Sequence, residues 1–280
     1  MRASYSSGLI TMPPNESNRS AFWPSDRASR NAEEVGFRFG DKGTQTSRTV
    51  MLAELGSTLS AVPTDSNRGK YAEAIIEANC LGKRTTATRR LTNQRLGELY
   101  ALDPSVPVFR ILRRLWSIDE AGRPLLALLV ALARDPLLLA TSSAVIPLQP
   151  GAEFQRNLMR DALRAVVGER LNDSILAKVV RNAASSWTQT GHLQGRTFKF
   201  RHLVKPTAGT VALALYLGYT VGFRGEDLLS SGWLTVLDCT PLAARNLALE
   251  AKRLGLMDLR VAADVMELKL ERLDPWYRRG

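Results

Sequence analysis

YAEAIIEANCLGKRTTATRRLTNQRLGELY, residues 71–100, holds one helix, its end and the start of the next. Ala72, Ile75, Ile76 and Cys80 recur at three- and four-residue steps and predict one buried stripe, with Gly82 marking its end. Thr85 or Thr86 then offers an N-cap hydroxyl. Ala87, Leu91, Leu96 and Leu99 are expected to face inward before Asp103-Pro104 closes the second helix. A helix joined to a helix by a short polar turn makes this region part of an α bundle.

The same pattern extends both ways. Upstream, Ser66 or Asn67 opens the first helix of the pair, and an earlier helix carries Val50, Leu52, Leu55 and Leu59 after a cap at Thr46 or Ser47. Downstream, Val108, Ile111, Leu112, Leu115 and Trp116 define one helix, and Asp119 or Glu120 starts another that runs to Arg134. Asp135-Pro136 begins a further apolar helix through Val145. Residues 36–150 are therefore expected to form a basic bundle of about six helices. Residues 1–35, with no long apolar run, read as a flexible tail.

Residues 151–280 differ in character. A long helix is expected from about Asp173 to Thr188, followed by a short β-ribbon in GHLQGRTFKFRHLV (191–204) and helices at 206–222 and 226–231. Thr240-Pro241 supplies an N-cap and a first-turn proline for a helix to Leu254, ended by Gly255. The stretch 256–270 is either a hairpin or a last amphipathic helix. The order helix, turn, helix, hairpin is winged-helix-like, so the expected fold is mainly α, a helical bundle followed by a winged-helix-like segment.

Composition narrows the function. The 280 residues include 38 Lys and Arg against 27 Asp and Glu, a formal charge of +11 that favours nucleic acid or another acidic partner. Two cysteines, Cys80 and Cys239, suggest neither a disulfide framework nor a zinc site and fit a reducing cytoplasm. Two histidines, His192 and His202, leave few general bases, and no nucleotide-loop, zinc-protease or nucleophile-elbow motif occurs. The acidic pairs Glu226-Asp227 and Asp264 with Glu267 are expected to cap helices or balance arginines. No cofactor, metal site or enzymatic activity is expected. The apolar run Leu125–Ala133 is too short to span a membrane, and the uncharged stretch 206–223 reads as a buried core helix.

Charge is clustered. Residues 81–116 hold Lys83, Arg84, Arg89, Arg90, Arg95, Arg110, Arg113 and Arg114 against Glu98 and Asp103, a net of +6. Basic side chains at a helix N-terminus oppose the helix dipole, so the turn is better suited to an anion than to helix stability. Thr85, Thr86 and Thr88 can donate hydroxyl hydrogen bonds to phosphate while Lys83, Arg84, Arg89, Arg90 and Arg95, with Arg113 and Arg114 on the next helix, supply charge. The bland alternative is a capped helix with solvated basic side chains. A second stretch from Arg181 to Lys205 contains Arg196, Lys199, Arg201 and Lys205 with no acid, interleaved with Trp187, Phe198 and Phe200. That composition suits a nucleic-acid groove, although Trp187 is better read as core.

Asn79, Leu81, Lys83, Arg84 and Thr85, followed by Arg89, Arg90, Arg95 and Leu96, resemble the turn and basic helix of the BrxA family of BREX bacteriophage-defence systems. The resemblance covers about residues 47–148 and implies a NusB-like helical fold and DNA binding. The resulting expectation is a non-catalytic component of a cytoplasmic anti-phage system that binds the phosphate backbone of double-stranded DNA and other proteins of that system. Two alternatives are an adaptor docking an acidic protein, and a winged-helix transcription regulator acting through Arg245 and Lys252.

Overall fold

The computed structural model describes residues 21–24, 29–40, 42–262, 265–274 and 276. The protein is mainly α. The helices are α1 (Ser29–Val35), α2 (Leu52–Ala61), α3 (Arg68–Ile76), α4 (Thr86–Tyr100), α5 (Pro107–Ile118), α6 (Arg123–Arg134), α7 (Pro136–Ala140), α8 (Arg156–Val167), α9 (Asp173–Gln189), α10 (Ala208–Thr220), α11 (Gly225–Leu229), α12 (Gly232–Thr235) and α13 (Pro241–Arg253). Two small antiparallel hairpins join them, β1 (Leu193–Gln194) with β2 (Phe200–Arg201), and β3 (Asp258–Ala262) with β4 (Val265–Lys269).

The centre is α6, in which every residue from Leu125 to Ala133 is buried. A helix apolar on all sides must be wrapped on all sides. α4, α5 and α10 pack on it. α10 is buried from Ala208 to Leu215 in the same way, so the uncharged stretch is a core helix. One hydrophobic cluster runs from Phe22 to Leu273 and crosses residue 150 without a break. No single helix among the described residues is long and apolar enough to cross a membrane. Arg123–Arg134 and Pro136–Ala144 pass by length and composition only as a pair, across a 104° bend.

Local chemistry sets the boundaries. Asn67 caps α3 by accepting the Lys70 N–H, Thr85 caps α4 by accepting the Thr88 N–H, and Thr240 caps α13 by accepting the Ala243 N–H. Asp135, fully buried, caps α7 through Leu137 and Leu138 and also accepts the N–H groups of Thr44 and Gln45 at 2.7 and 3.2 Å. Burial pushes its carboxyl up to about 6 against the pull of those four donors.

Several expectations need correction. α4 buries Thr92, Leu96, Leu99 and Tyr100, while Ala87 and Leu91 are exposed. The five-residue step from Leu91 to Leu96 leaves Leu91 about 140° off the buried face at 100° per residue. α2 starts at Leu52 after Met51 in a left-handed conformation, and Thr44–Thr46 forms a 3-10 turn of its own. α3 ends at Ile76, so Cys80 lies in the following turn. Part of the expected tail is built into the fold: Phe22 and Ala32 are buried, and α1 occupies 29–35. Residues 256–270 take the hairpin alternative over their described positions. Asp264 and residues 1–20 lie outside the described residues. α8 was not anticipated, although Met159, Leu163 and Val167 follow one helical face and Gly168 stops it.

Candidate nucleic-acid interface

The turn between α3 and α4 divides its basic residues into two kinds. Asn79 sits at φ 51° and its Oδ1 accepts the Lys83 N–H at 2.8 Å, while Gly82 at φ +60° completes the reversal. Lys83 Nζ pairs with Glu54 on α2 at 3.0 Å. Arg89 donates to the Ile76 carbonyl at 2.6 Å and so satisfies the C-terminus of α3. Arg95 pairs with Glu98 at 2.7 Å. The Thr85 and Thr88 hydroxyls lie 2.9 Å apart, and the Thr86 hydroxyl accepts from Arg89 at 3.3 Å. These side chains stitch the bundle together. Arg84 and Arg90 are exposed and make no hydrogen bond or ion pair with any described residue.

Three of the expected binding arginines have other work. Arg113 is 8% exposed and donates to the Val62 carbonyl at 2.7 Å, holding the end of α2. Arg114 donates to the carbonyls of Arg272 and Leu273 and ties α5 to the C-terminal turn. Arg201 is 3% exposed and its guanidinium pairs with Asp238. Basic composition could not separate them from surface cations because their partners are backbone carbonyls or residues remote in sequence.

The second stretch keeps a surface component. Arg196 and Lys205 are exposed and unpaired with any described residue. Lys199 Nζ donates to the Thr188 hydroxyl at 2.9 Å and the Gly195 carbonyl at 3.0 Å, and partial burial with the nearby Arg156 charge lowers its pKa. Trp187 is core, with its indole N–H on the Thr141 hydroxyl at 2.8 Å. Phe198 and Phe200 are 65% and 44% exposed.

Sequence reasoning left Lys178 and Arg156 out and gave Arg181 no role of its own. Lys178, Arg181, Ser185 and Thr188 recur at three- and four-residue steps on α9, so they form one stripe that ends at the Lys199 contact. Lys178 and Arg181 are exposed and unpaired with any described residue. The signal was present: no Asp or Glu occurs from residue 174 to 225. Beside the β1–β2 hairpin, Glu153, Phe154, Arg156, Thr197, Phe198 and Lys199 line a recess of about 340 Å³.

A short path of contacts joins the two clusters. Lys83 holds Glu54 in the first turn of α2, the Leu52 N–H at the start of that helix donates to Gln189, and the adjacent Thr188 receives Lys199. The α4 turn and the hairpin thus flank the same end of α2. Among the described residues no group of three His, Cys, Asp or Glu side chains is placed to hold a metal ion. The chain matches no family model, no curated protein and no solved structure.

Proposed function

We propose that this protein is a non-catalytic binder of double-stranded DNA that grips the phosphate backbone. The observation that carries the reading is the set of exposed cations without an internal partner among the described residues: Arg84, Arg90, Lys178, Arg181, Arg196 and Lys205. Lysine and arginine without an acidic partner among the described residues raise the local potential and release counterions when they meet phosphates. Their contacts would position the duplex without reading bases. The likeness of residues 79–96 to the BrxA turn supports a role in a bacterial anti-phage defence system, and a NusB-like bundle is the corresponding finer reading of the helical fold.

The regulator alternative is less well supported. α11, α13 and the β3–β4 hairpin follow a winged-helix-like order. However, Arg245 pairs with Glu226 and Lys252 donates to the Leu259 carbonyl, while Leu242 on α13 is 70% exposed. That helix is poorly equipped to read base edges.

The test is fluorescence anisotropy of a labelled random-sequence duplex over a salt series. Wild type is expected to bind with a steep salt slope, and the sextuple change of these cations to Ala to lose both affinity and slope. If wild type does not bind at low salt, the cations serve an acidic protein partner and the DNA reading falls.

A further inference from the structure

The β1–β2 hairpin carries two features that phosphate binding does not use. Phe198 and Phe200 are exposed, and the backbone that follows each of them is anchored to residues 151–154. The Phe154 N–H donates to the Lys199 carbonyl at 2.7 Å, the Arg201 N–H to the Ala152 carbonyl at 2.9 Å, and the Gly151 N–H to the Arg201 carbonyl at 2.8 Å. Below them Arg201 is locked to Asp238. At the tip, Gly195 has φ +118°, and a Cβ there would stand 2.0 Å from the Phe198 carbonyl oxygen, so only glycine allows the turn. Phe198, Phe200 and Leu203, all exposed within six residues, gather apolar surface in one place, and such a patch marks a contact surface.

The surroundings select the partner. Phe198 lines the recess of about 340 Å³ with Arg156 and Lys199, against the single carboxylate of Glu153. Arg196 is exposed at the tip and unpaired with any described residue. Aromatic faces beside cations with no acidic partner among the described residues match a nucleotide, whose base stacks while its phosphate meets the charge. The recess lies near the lower end of small-ligand sites, roughly 300–1,000 Å³, which suits one base and not a duplex.

We propose that this hairpin stacks an unpaired base, so that the preferred substrate is duplex DNA carrying a single-stranded tail. The inference rests on the DNA-binding reading above. Cations on α9 and at the α4 turn would hold the duplex, and Phe198 and Phe200 would hold the tail.

The experiment compares a blunt duplex with the same duplex bearing a short thymidine tail that contains 2-aminopurine, using full-length protein. Wild type is expected to bind the tailed form about tenfold more tightly, within the range of one stacked base, and to change the 2-aminopurine fluorescence. Phe198→Ala/Phe200→Ala is expected to bind both forms equally, with the blunt affinity and salt slope of wild type. Phe198→Trp keeps the preference and guards against a folding defect in the double variant. Equal binding of the two forms by wild type, or a preference that survives the double variant, overturns the stacking proposal while leaving duplex binding intact. Binding of neither form overturns the DNA reading itself. Binding to phosphatidylserine vesicles that disappears in the double variant, without a preference for tailed DNA, assigns the rings to a membrane surface and overturns the proposal.

Discussion

Arg201 and Asp238, 37 residues apart in sequence, form an ion pair in which the side chains are only 1% and 8% exposed. The pair pins β2 to the turn before α13, and Asp238 also accepts the Val204 N–H at 2.8 Å. Its second role is to fix the base of the exposed hairpin.

Asp238→Asn removes the charge and, because an amide keeps one acceptor oxygen, one of the two hydrogen bonds from Arg201 and Val204. Asp238 has φ 53°, a conformation that asparagine also tolerates, so the backbone is undisturbed. The substitution leaves Arg201 buried without a counter-charge and is expected to cost about 3–5 kcal/mol in urea unfolding. A loss below about 1 kcal/mol would show that the pair does not hold the hairpin.

His192 gives the fold a pH dependence. Its ring is buried, one nitrogen lies 2.7 Å from the Val236 carbonyl, and the ring stands edge-on to Trp187. Burial lowers its pKa to about 4, with the nearby Arg201 charge in the same direction and Asp238 and the backbone hydrogen bonds opposing. The folded state therefore resists a proton that the unfolded chain takes up near 6.5. Stability from this group is complete above 6.5 and falls toward pH 4, by on the order of 3 kcal/mol. Asp135, raised to about 6, acts in the opposite sense, since its contribution is full below its unfolded value and is lost as pH rises through 6. The wild-type profile is thus expected to be flatter than either term. His192→Gln should gain stability relative to wild type as pH falls from 6.5 to 4. Parallel urea-midpoint profiles for the two proteins would refute the assignment.

The α4 turn predicts a separation of roles. Lys83→Ala breaks a half-exposed pair with Glu54 and should cost less than about 1 kcal/mol with little change in DNA binding. Arg84→Ala/Arg90→Ala removes no internal contact with the described residues, so the melting temperature should hold. The salt slope should fall by roughly 2, since each phosphate that is no longer neutralised lowers it by about 0.9. Unchanged salt dependence would remove this turn from the interface.

This division explains what the sequence could and could not reveal. Asp135 and Thr240 were legible as helix starts, and Asn67 and Thr85 each as one of two adjacent candidates, because capping chemistry is local. The core helices α6 and α10 were legible from unbroken apolar composition. The fates of Arg113, Arg114 and Arg201 were not, because the partners that anchor them, Val62, Arg272 and Asp238, lie 37 or more residues away. α8 was legible and went unread: Met159, Leu163 and Val167 set a helical period and Gly168 stops it. Phe22 looked like tail because its aromatic partner, Trp233, is contributed by the far end of the chain.

That docking yields a prediction about coupling. Phe22 is 3% exposed, its ring meets Trp233 edge-on at 5.1 Å, and the Trp233 indole N–H donates to the Phe22 carbonyl at 3.1 Å. A Cβ on Gly232 would stand 2.8 Å from the Phe22 ring, too close for the ring to stay in place. Phe22→Ala should cost about 3–5 kcal/mol by leaving a cavity. Gly232→Ala should also be costly in wild type, by about 1–3 kcal/mol, because it overpacks the same contact. In the Phe22→Ala background the added methyl enters the emptied space, so Gly232→Ala should be close to neutral there. The double-mutant cycle from urea unfolding is therefore expected to give a coupling of about 1–3 kcal/mol. Additive losses would mean that Phe22 does not occupy the site against Trp233 in solution.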